Sequence, residues 1–130
     1  DKVIDIAKKR NIQVIERPPH LAGDKVWTQP VINHTDDELG GLDDEDIIVI
    51  LQANSPQITT EKIDECIDML INNDLFEVHT IDSTMINNGA IQVIKRKVRK
   101  QQGKVCYNGV VMADWIDVHT IEDINKIGEL

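Results

Sequence analysis

Five consecutive apolar residues, Ile47–Leu51, are followed directly by a polar loop and then by an amphipathic helical pattern. A run that is apolar on both faces is typical of a strand buried on both sides, as in parallel sheets covered by helices. Open α/β sheets bind ligands just beyond the carboxyl ends of their strands. The loop from Gln52 to Gln57 is therefore the first candidate for a functional site. A polar loop with a proline is also an ordinary way for a strand to end before a helix, and this alternative stays open.

The residues after this loop predict a β-α-β unit. Thr59 or Thr60 can cap a helix that runs to Asn73, and one apolar stripe follows its length, formed by Ile63, Cys66, Ile67, Leu70 and Ile71. A strand is expected from Glu77 to Ile81. The two strands should lie parallel and be joined by a right-handed crossover.

Shorter patterns predict the remaining elements. Helices are expected over 1–10, from near Pro30 to Leu39, and after Thr120, with Asp123 as an acidic variant of the capping box. Strands are expected over 12–15, 90–94 and 115–118, with a turn at 87–89 before the second of them. The chain opens directly in a helical pattern without an initiator Met, and we expect an upstream strand and phosphate loop to lie outside it.

Size and charge narrow the class of protein. A chain of 130 residues suits one packed domain. The formal net charge of −9 argues against nonspecific binding to nucleic acid or to an anionic membrane, and small molecules are the expected partners. Cys66 and Cys106 are expected to be reduced thiols. No apolar run approaches the ~20 residues of a membrane span, so a cytoplasmic location is the expectation.

Two charged tracts invite functional interpretations. Residues 36–46 contain seven acids, which could suggest a metal site, but they lack EF-hand spacing, and a solvated connection is the favoured interpretation. Residues 95–104 contain six basic residues, which could bind phosphate or nucleic acid. A charged surface helix or loop is favoured there, because the chain is otherwise acidic and only Tyr107 lies nearby as an aromatic residue.

Asp117 and His119 stand at the end of the last predicted strand. Strand alternation would place both side chains on one side, where two ligands can converge on an ion. Carboxylate oxygen suits Mg²⁺, and imidazole suits Mn²⁺ or Zn²⁺ better. An Asp and a His in a polar strand-to-helix turn are an equally good interpretation. The sequence contains no P-loop, G-x-S-x-G elbow, G-x-G-x-x-G turn or C-x-x-C motif.

Four segments, in order, resemble the acylneuraminate cytidylyltransferases, the CMP-sialic acid synthetase family. Arg17-Pro18 with Leu21-Ala22 and Asp24 resembles the family's RP-x-x-LA-x-D segment. Residues 50–56 resemble its LQ-x-x-SP loop, and residues 88–91 resemble its NGA-I strand. Residues 116–123 resemble its ID-x-D-T-x-x-D terminus. Together these segments span nearly the whole chain.

The resemblance implies a Rossmann-like enzyme, with a mostly parallel sheet between two layers of helices. It implies transfer of CMP from CTP to a sialic-acid-like 2-keto-3-deoxy sugar acid, with release of pyrophosphate and the help of Mg²⁺ or Mn²⁺. By resemblance, Arg17 contacts the nucleotide, and Asp117 is the catalytic carboxylate and, with His119, a metal ligand. The residues that face the sugar or line the same pocket are Gln52, Asn54, Ser55, Asn88, Gly89 and Ala90.

Three features depart from the family pattern. Only six residues separate Ile81 from Asn88, where the family usually inserts a longer stretch that carries substrate-binding basic residues and much of the dimer contact. The family's glycine- and lysine-bearing loop, which holds the triphosphate, would precede Asp1, so the expected fold is N-terminally incomplete. His119 also replaces an Asp that would coordinate Mg²⁺. The second hypothesis is therefore a noncatalytic α/β binding or assembly module without the triphosphate site. A sheet edge left open by missing strands would favour association with another chain, so a homodimer is expected.

Overall fold

In the computed structural model, which describes residues 2–100 and 106–128, the chain divides into two compact units, Asp1–Leu42 and Asp43–Leu130. The first unit contains helix α1 (Lys2–Lys9), a 3-10 turn (Pro19–Leu21) and helix α2 (Thr28–Leu39). Both predicted helices are confirmed. α2 begins two residues before Pro30, which is accommodated because amide groups in the first helical turn have no intrahelical partner.

The strand predicted over 12–15 is wrong. Residues 12–18 have no regular secondary structure. A strand needs a neighbour to receive its backbone hydrogen bonds, and the described residues of the first unit include no second strand. The apolar alternation was therefore not sufficient to define a strand.

The second unit is built on a four-stranded sheet with order β1-β3-β2-β4. Along the chain its elements are β1 (Ile47–Leu51), α3 (Thr60–Asn72), β2 (Glu77–Ile81), β3 (Asn87–Lys95), a 3-10 turn (Arg96–Val98), β4 (Asn108–Met112) and α4 (Ile121–Gly128). The bounds of β1 and β2 are those predicted from the sequence.

The sheet is mixed. β3 runs antiparallel to both β1 and β2, whereas β2 and β4 are parallel. β1 and β2 therefore point in the same direction, as predicted, but they are not adjacent because β3 lies between them. The unit is an α/β fold with flanking helices. As expected for a mostly parallel sheet, β1, β2 and β4 point in the same direction. The expectation is wrong for the pairing of neighbouring strands, because only β2 and β4 form a parallel pair.

Helix α3 covers one face of the sheet. The Thr59 hydroxyl caps it by accepting the Lys62 N–H at 3.4 Å. Its buried residues Cys66 and Leu70 pack in a core with four strand residues, Val78, Ile91, Val93 and Val111. Most of the predicted apolar stripe is confirmed, although Ile71 is 56% exposed.

β1 is an edge strand, and this corrects the prediction that it is buried on both faces. Val49 is 36% exposed and Leu51 is 48% exposed. In the part of the chain that the structure describes, β1 has a strand neighbour on one side only, which is β3. An edge strand has a neighbouring strand on one side only, so its side chains are less covered than those of a central strand.

The predicted strand over 115–118 is also wrong, and the actual last strand, β4, lies earlier, at Asn108–Met112. Residues 113–118 form an irregular segment, and within it the Ile116 and Val118 N–H groups bind the loop after β1. The predicted turn at 87–89 is the start of β3, and the register of the β2–β3 pair shifts there. Gly89 at this irregularity has φ of +69°, a conformation that glycine adopts readily.

Candidate functional site

The loop after β1 is held close to the start of β3. The Gln52 N–H donates to the Ala90 carbonyl at 3.0 Å, and the Ser55 N–H turns back to the Gln52 carbonyl at 3.1 Å. Ser55 is 2% exposed, so its hydroxyl faces protein rather than water. A buried hydroxyl needs a hydrogen-bond partner.

That partner is Asp117, 62 residues away. The Ser55 hydroxyl donates to Asp117 Oδ1 at 3.0 Å. Two backbone contacts flank this bond: the Val118 N–H donates to the Asn54 carbonyl at 2.7 Å, and the Ile116 N–H donates to the side-chain oxygen of Gln57 at 2.8 Å. The 116–118 segment is therefore tied to the 52–57 loop at three successive residues.

Asn88 connects the same region to the end of β4. Its side-chain amide donates to the Ala113 carbonyl at 2.7 Å. Its side-chain oxygen accepts the buried Thr80 hydroxyl at 2.6 Å and the Ala90 N–H at 3.2 Å. These bonds give Asn88 a positioning role within the protein.

All these groups meet at one edge of the sheet. The carboxyl ends of β1, β2 and β4 and the beginning of antiparallel β3 lie at that edge. Six of the predicted site residues are brought together here with Asp117, namely Gln52, Asn54, Ser55, Asn88, Gly89 and Ala90. Gln57 and Thr80 were missed by sequence reasoning. The only signal for them was a polar residue at each position, Gln57 next to the candidate loop and Thr80 within an apolar strand.

An open hollow of about 640 Å³ lies beside this edge. Its walls come from the 53–56 loop, from Val118 and from the inner face of α4, and the lining residues are Ala53, Asn54, Pro56, Val118, Ile124 and Ile127. The walls are mainly apolar, and none of these residues carries a formal charge. The hollow suits an apolar group better than an acid.

His119 and Asp123 belong to the start of α4. Asp123 Oδ2 accepts the N–H groups of His119 and Thr120 at 3.1 and 3.0 Å, and also the Thr120 hydroxyl at 3.0 Å. The Lys126 ammonium, followed by these donors, holds the pKa of the Asp123 carboxyl well below its usual range. Asp123 therefore caps the start of α4 as predicted, with the Thr120 hydroxyl bonded to the same carboxylate oxygen.

The side chains of Asp117 and His119 were predicted to hold a metal ion, and the structure shows how each is placed. Asp117 offers one carboxylate whose Oδ1 is oriented by Ser55, which fits Mg²⁺ held by one or two carboxylates together with substrate phosphates. The strand alternation that would place His119 beside Asp117 is absent, because 115–118 is not a strand. Within residues 2–100 and 106–128, no group of three or more His, Cys, Asp or Glu side chains is arranged for a metal. His119 as a ligand stays a prediction.

Arg17, the other predicted site residue, lies in the first unit. It is exposed and lines an open hollow of about 440 Å³ beside α1, together with Val3, Ile4, Ala7, Val14, Ile15, Glu16 and Ala22. Its contact with a nucleotide stays a prediction.

In the second unit, acids of the acidic tract pair with residues of the basic tract. Lys97 Nζ lies 2.7 Å from Glu45, and the Arg96 guanidinium lies 3.8 Å from Asp44. The Lys97 N–H also donates to the Asp44 carbonyl at 3.0 Å. The two tracts therefore offset each other's charge at one end of β1 and β3. Residues 101–104 of the basic tract lie outside the described residues.

No protein-family model matches the sequence, and a search of curated proteins returned no significant match. None of the helices in the described ranges combines the length and the apolar run needed to cross a membrane.

Proposed function

We propose that the chain is a cytidylyltransferase-like domain that transfers CMP from CTP to a sialic-acid-like keto-sugar acid and releases pyrophosphate. The proposal rests first on the four segments that resemble the CMP-sialic acid synthetases. The observation that carries it further is the hydrogen bond from Ser55 to Asp117, because it joins two of those segments at one point.

The position of this bond supports the proposal. Ligands of open α/β sheets bind beyond the carboxyl ends of the strands, and Ser55 and Asp117 follow β1 and β4 at that edge. The NGA-I segment begins β3 at the same edge, where Ala90 accepts the Gln52 N–H. Three separate segments thus converge where a ligand is expected. A Rossmann-like arrangement of three layers is part of this proposal.

The reaction requires alignment of the sugar hydroxyl with the α-phosphorus and neutralisation of phosphate charge. Asp117 would hold Mg²⁺, which when bound neutralises the charge of the phosphates and orients the phosphate oxygens. Ser55 keeps the Asp117 carboxylate in one orientation by engaging Oδ1. Asn88 holds the beginning of β3 against the residue that follows β4, because its amide donates to the Ala113 carbonyl, and this fixes the start of the NGA-I segment.

A noncatalytic binding or assembly module is the second candidate. The open edge of β1, made entirely of aliphatic residues, favours it because such an edge is suited to contact with another chain. In this alternative the Ser55–Asp117 bond only secures the 116–118 segment. The two candidates differ in whether Asp117 is needed for nucleotide binding or only for stability.

The test is calorimetric titration of CTP into the purified chain, first with Mg²⁺ and then with Mn²⁺. We expect metal-dependent binding that weakens at least tenfold in Asp117→Ala. Asp114→Ala is the matched control, because Asp114 is an exposed carboxylate nearby that accepts the Ser83 N–H at 2.7 Å. Binding that survives in Asp114→Ala would justify an assay of pyrophosphate release with sialic-acid-like sugars. No binding with either metal would contradict the proposal and favour the assembly module.

A further inference from the structure

A bulge in β3 coincides with the NGA-I segment, residues 88–91. The pairs of the β2–β3 ladder that flank the bulge are His79 with Gln92 and Ile81 with Asn87. One residue of β2, Thr80, therefore lies opposite four residues of β3, 88–91, where a regular ladder would place one. Bulges are common next to functional sites, where they change the direction of a side chain.

The Thr80 hydroxyl bonds to both ends of this bulge. It donates to Asn88 Oδ1 at 2.6 Å and accepts the Ile91 N–H at 3.1 Å. A threonine hydroxyl has one hydrogen to donate and two lone pairs that accept, so both bonds can form at once. Thr80 is 0% exposed, so water does not reach this hydroxyl. One buried side chain therefore links the first and last residues of the bulge.

Asn88 and Ala90 connect the bulge to the rest of the candidate site. The Asn88 side-chain oxygen accepts from Thr80 and from the Ala90 N–H. The amide nitrogen at the other end of the Asn88 side chain is thereby turned to the Ala113 carbonyl, to which it donates at 2.7 Å. The Ala90 carbonyl accepts the Gln52 N–H. The bulge thus contacts β2, the loop after β1 and the segment after β4.

We propose that Thr80 is a positioning residue of the candidate site: its hydroxyl fixes the conformation of the 88–91 bulge, and it acts on the ligand edge through Asn88. This inference rests on the proposed function for the identity of the ligand, CTP with Mg²⁺. Without the hydroxyl, the Ile91 N–H loses an acceptor in a place that is closed to water. A buried N–H needs a partner, so the bulge should change its conformation.

Two substitutions separate the hydroxyl from the rest of the Thr80 side chain. Thr80→Val keeps nearly the same shape and removes the hydroxyl, whereas Thr80→Ser keeps the hydroxyl and removes a buried methyl group. Both should lower the free energy of unfolding, the first by loss of hydrogen bonds and the second by a small cavity. A residue that only stabilises the fold would affect ligand binding in both variants or in neither. A positioning role requires that binding follow the hydroxyl.

The first measurement is calorimetric titration of CTP with Mg²⁺ into the chain and both variants, at a temperature where circular dichroism shows all three to be folded. We expect the affinity of Thr80→Ser to lie within about twofold of that of the unmodified chain, and the affinity of Thr80→Val to fall about tenfold. Unaltered binding by Thr80→Val, or equal losses in the two variants, would overturn the inference.

The second measurement, amide hydrogen exchange, needs no ligand. Thr80→Val should speed exchange of the Ile91 N–H about tenfold relative to the Val93 N–H, and Thr80→Ser should not. Val93 lies in the core of the same strand and is the reference for global unfolding. If the unmodified chain binds no CTP, the proposed function fails, and exchange alone decides on Thr80. Protection of Ile91 that does not depend on the hydroxyl would then overturn its role.

A third measurement depends on no variant. In the unmodified chain, the Thr80 hydroxyl proton should exchange slowly enough to be observed by NMR, with a contact to Asn88, because the hydroxyl is buried and donates to Asn88 Oδ1. A hydroxyl proton that exchanges freely with water would contradict the inference, even if Thr80→Val does not fold.

Discussion

The Ser55 hydroxyl donates a 3.0 Å hydrogen bond to the Asp117 carboxylate, and this bond joins the loop after the first strand to the segment after the last strand. Ser55 is almost completely buried. Because the bond ends on a charged group in a largely protected position, it should contribute more to stability than an exposed ion pair does.

A double-mutant cycle tests this contribution. We expect Ser55→Ala and Asp117→Ala to be non-additive, with a coupling free energy of about 1.5–3 kcal/mol, because each single variant already removes the shared bond. The measurement is the free energy of unfolding by chemical denaturation.

The matched control is the ion pair between Lys62 and Glu65 on α3, whose side chains are 35% and 50% exposed. Its coupling should be at most about 0.5 kcal/mol, because solvent screens exposed pairs. Equal coupling in the two cycles would show that the Ser55–Asp117 bond has no special role in holding the segment.

Gly109 in β4 lies where no side chain fits. A Cβ atom there would stand 2.6 Å from Leu75 Cδ1 and 2.8 Å from Met69 Sδ. We expect Gly109→Ala to lower the free energy of unfolding by about 1–3 kcal/mol through overpacking. Gly23→Ala is the control, because its Cβ would have its nearest contact at 3.8 Å, and its effect should lie within about 0.5 kcal/mol. A stable Gly109→Ala protein would mean that Leu75 and Met69 have room to move.

Gly109 also shows why part of the fold could not be predicted from the sequence. β1 and β2 have clear apolar or β-branched patterns, and α3 has a capping Thr and a continuous stripe, so local physics defines all three. β4 has a glycine near its start, which weakens a strand pattern, and it forms because close packing against α3 requires that glycine. Residues 115–118 have the stronger strand pattern, but the 52–57 loop takes their amides.

The candidate site was predictable to a similar extent. The loop after β1 was found from the general rule for ligand sites in α/β sheets. Asp117 was found from a strand pattern over 115–118 that is absent from the structure, and the resemblance added its catalytic role. The contact between them depends on a loop-to-loop docking that has no periodic signature. The bonds made by Gln57 and Thr80 depend on the same tertiary arrangement, so nothing in the local sequence distinguishes these residues from other polar positions.

The two cysteines should differ in reactivity. Both cysteines are free in the structure. Cys66 is fully buried, and this burial, with a smaller effect from Glu65, raises the pKa of its thiol from 9.0 to about 11. This rise in pKa lowers the thiolate fraction of Cys66 near pH 8 about 100-fold. Cys106 is exposed and should be alkylated first.

Mass spectrometry after brief alkylation near pH 8 measures this difference. We expect modification of Cys106 alone in the folded chain and of both cysteines in denaturant, which serves as the control. Equal modification rates in the folded chain would contradict the packing of Cys66 between α3 and the sheet.

The cap of α4 should be sensitive to acid. The folded-state pKa of Asp123 lies below its ordinary value of 3.8, because Lys126 and the donors at His119 and Thr120 favour the carboxylate. A lowered folded pKa means that the stabilisation is present above pH 3.8 and is lost as pH falls through the folded pKa. We therefore expect α4 to lose helical order at its first turn progressively as pH is lowered below 3.8. The measurement is the set of helical ¹³Cα chemical shifts for Ile121–Gly128.

Asp123→Asn is the control, because its amide can still accept a hydrogen bond but cannot titrate, and its α4 shifts should change little over this range. The same acid-induced change in both proteins would show that another group, and not Asp123, controls the start of α4.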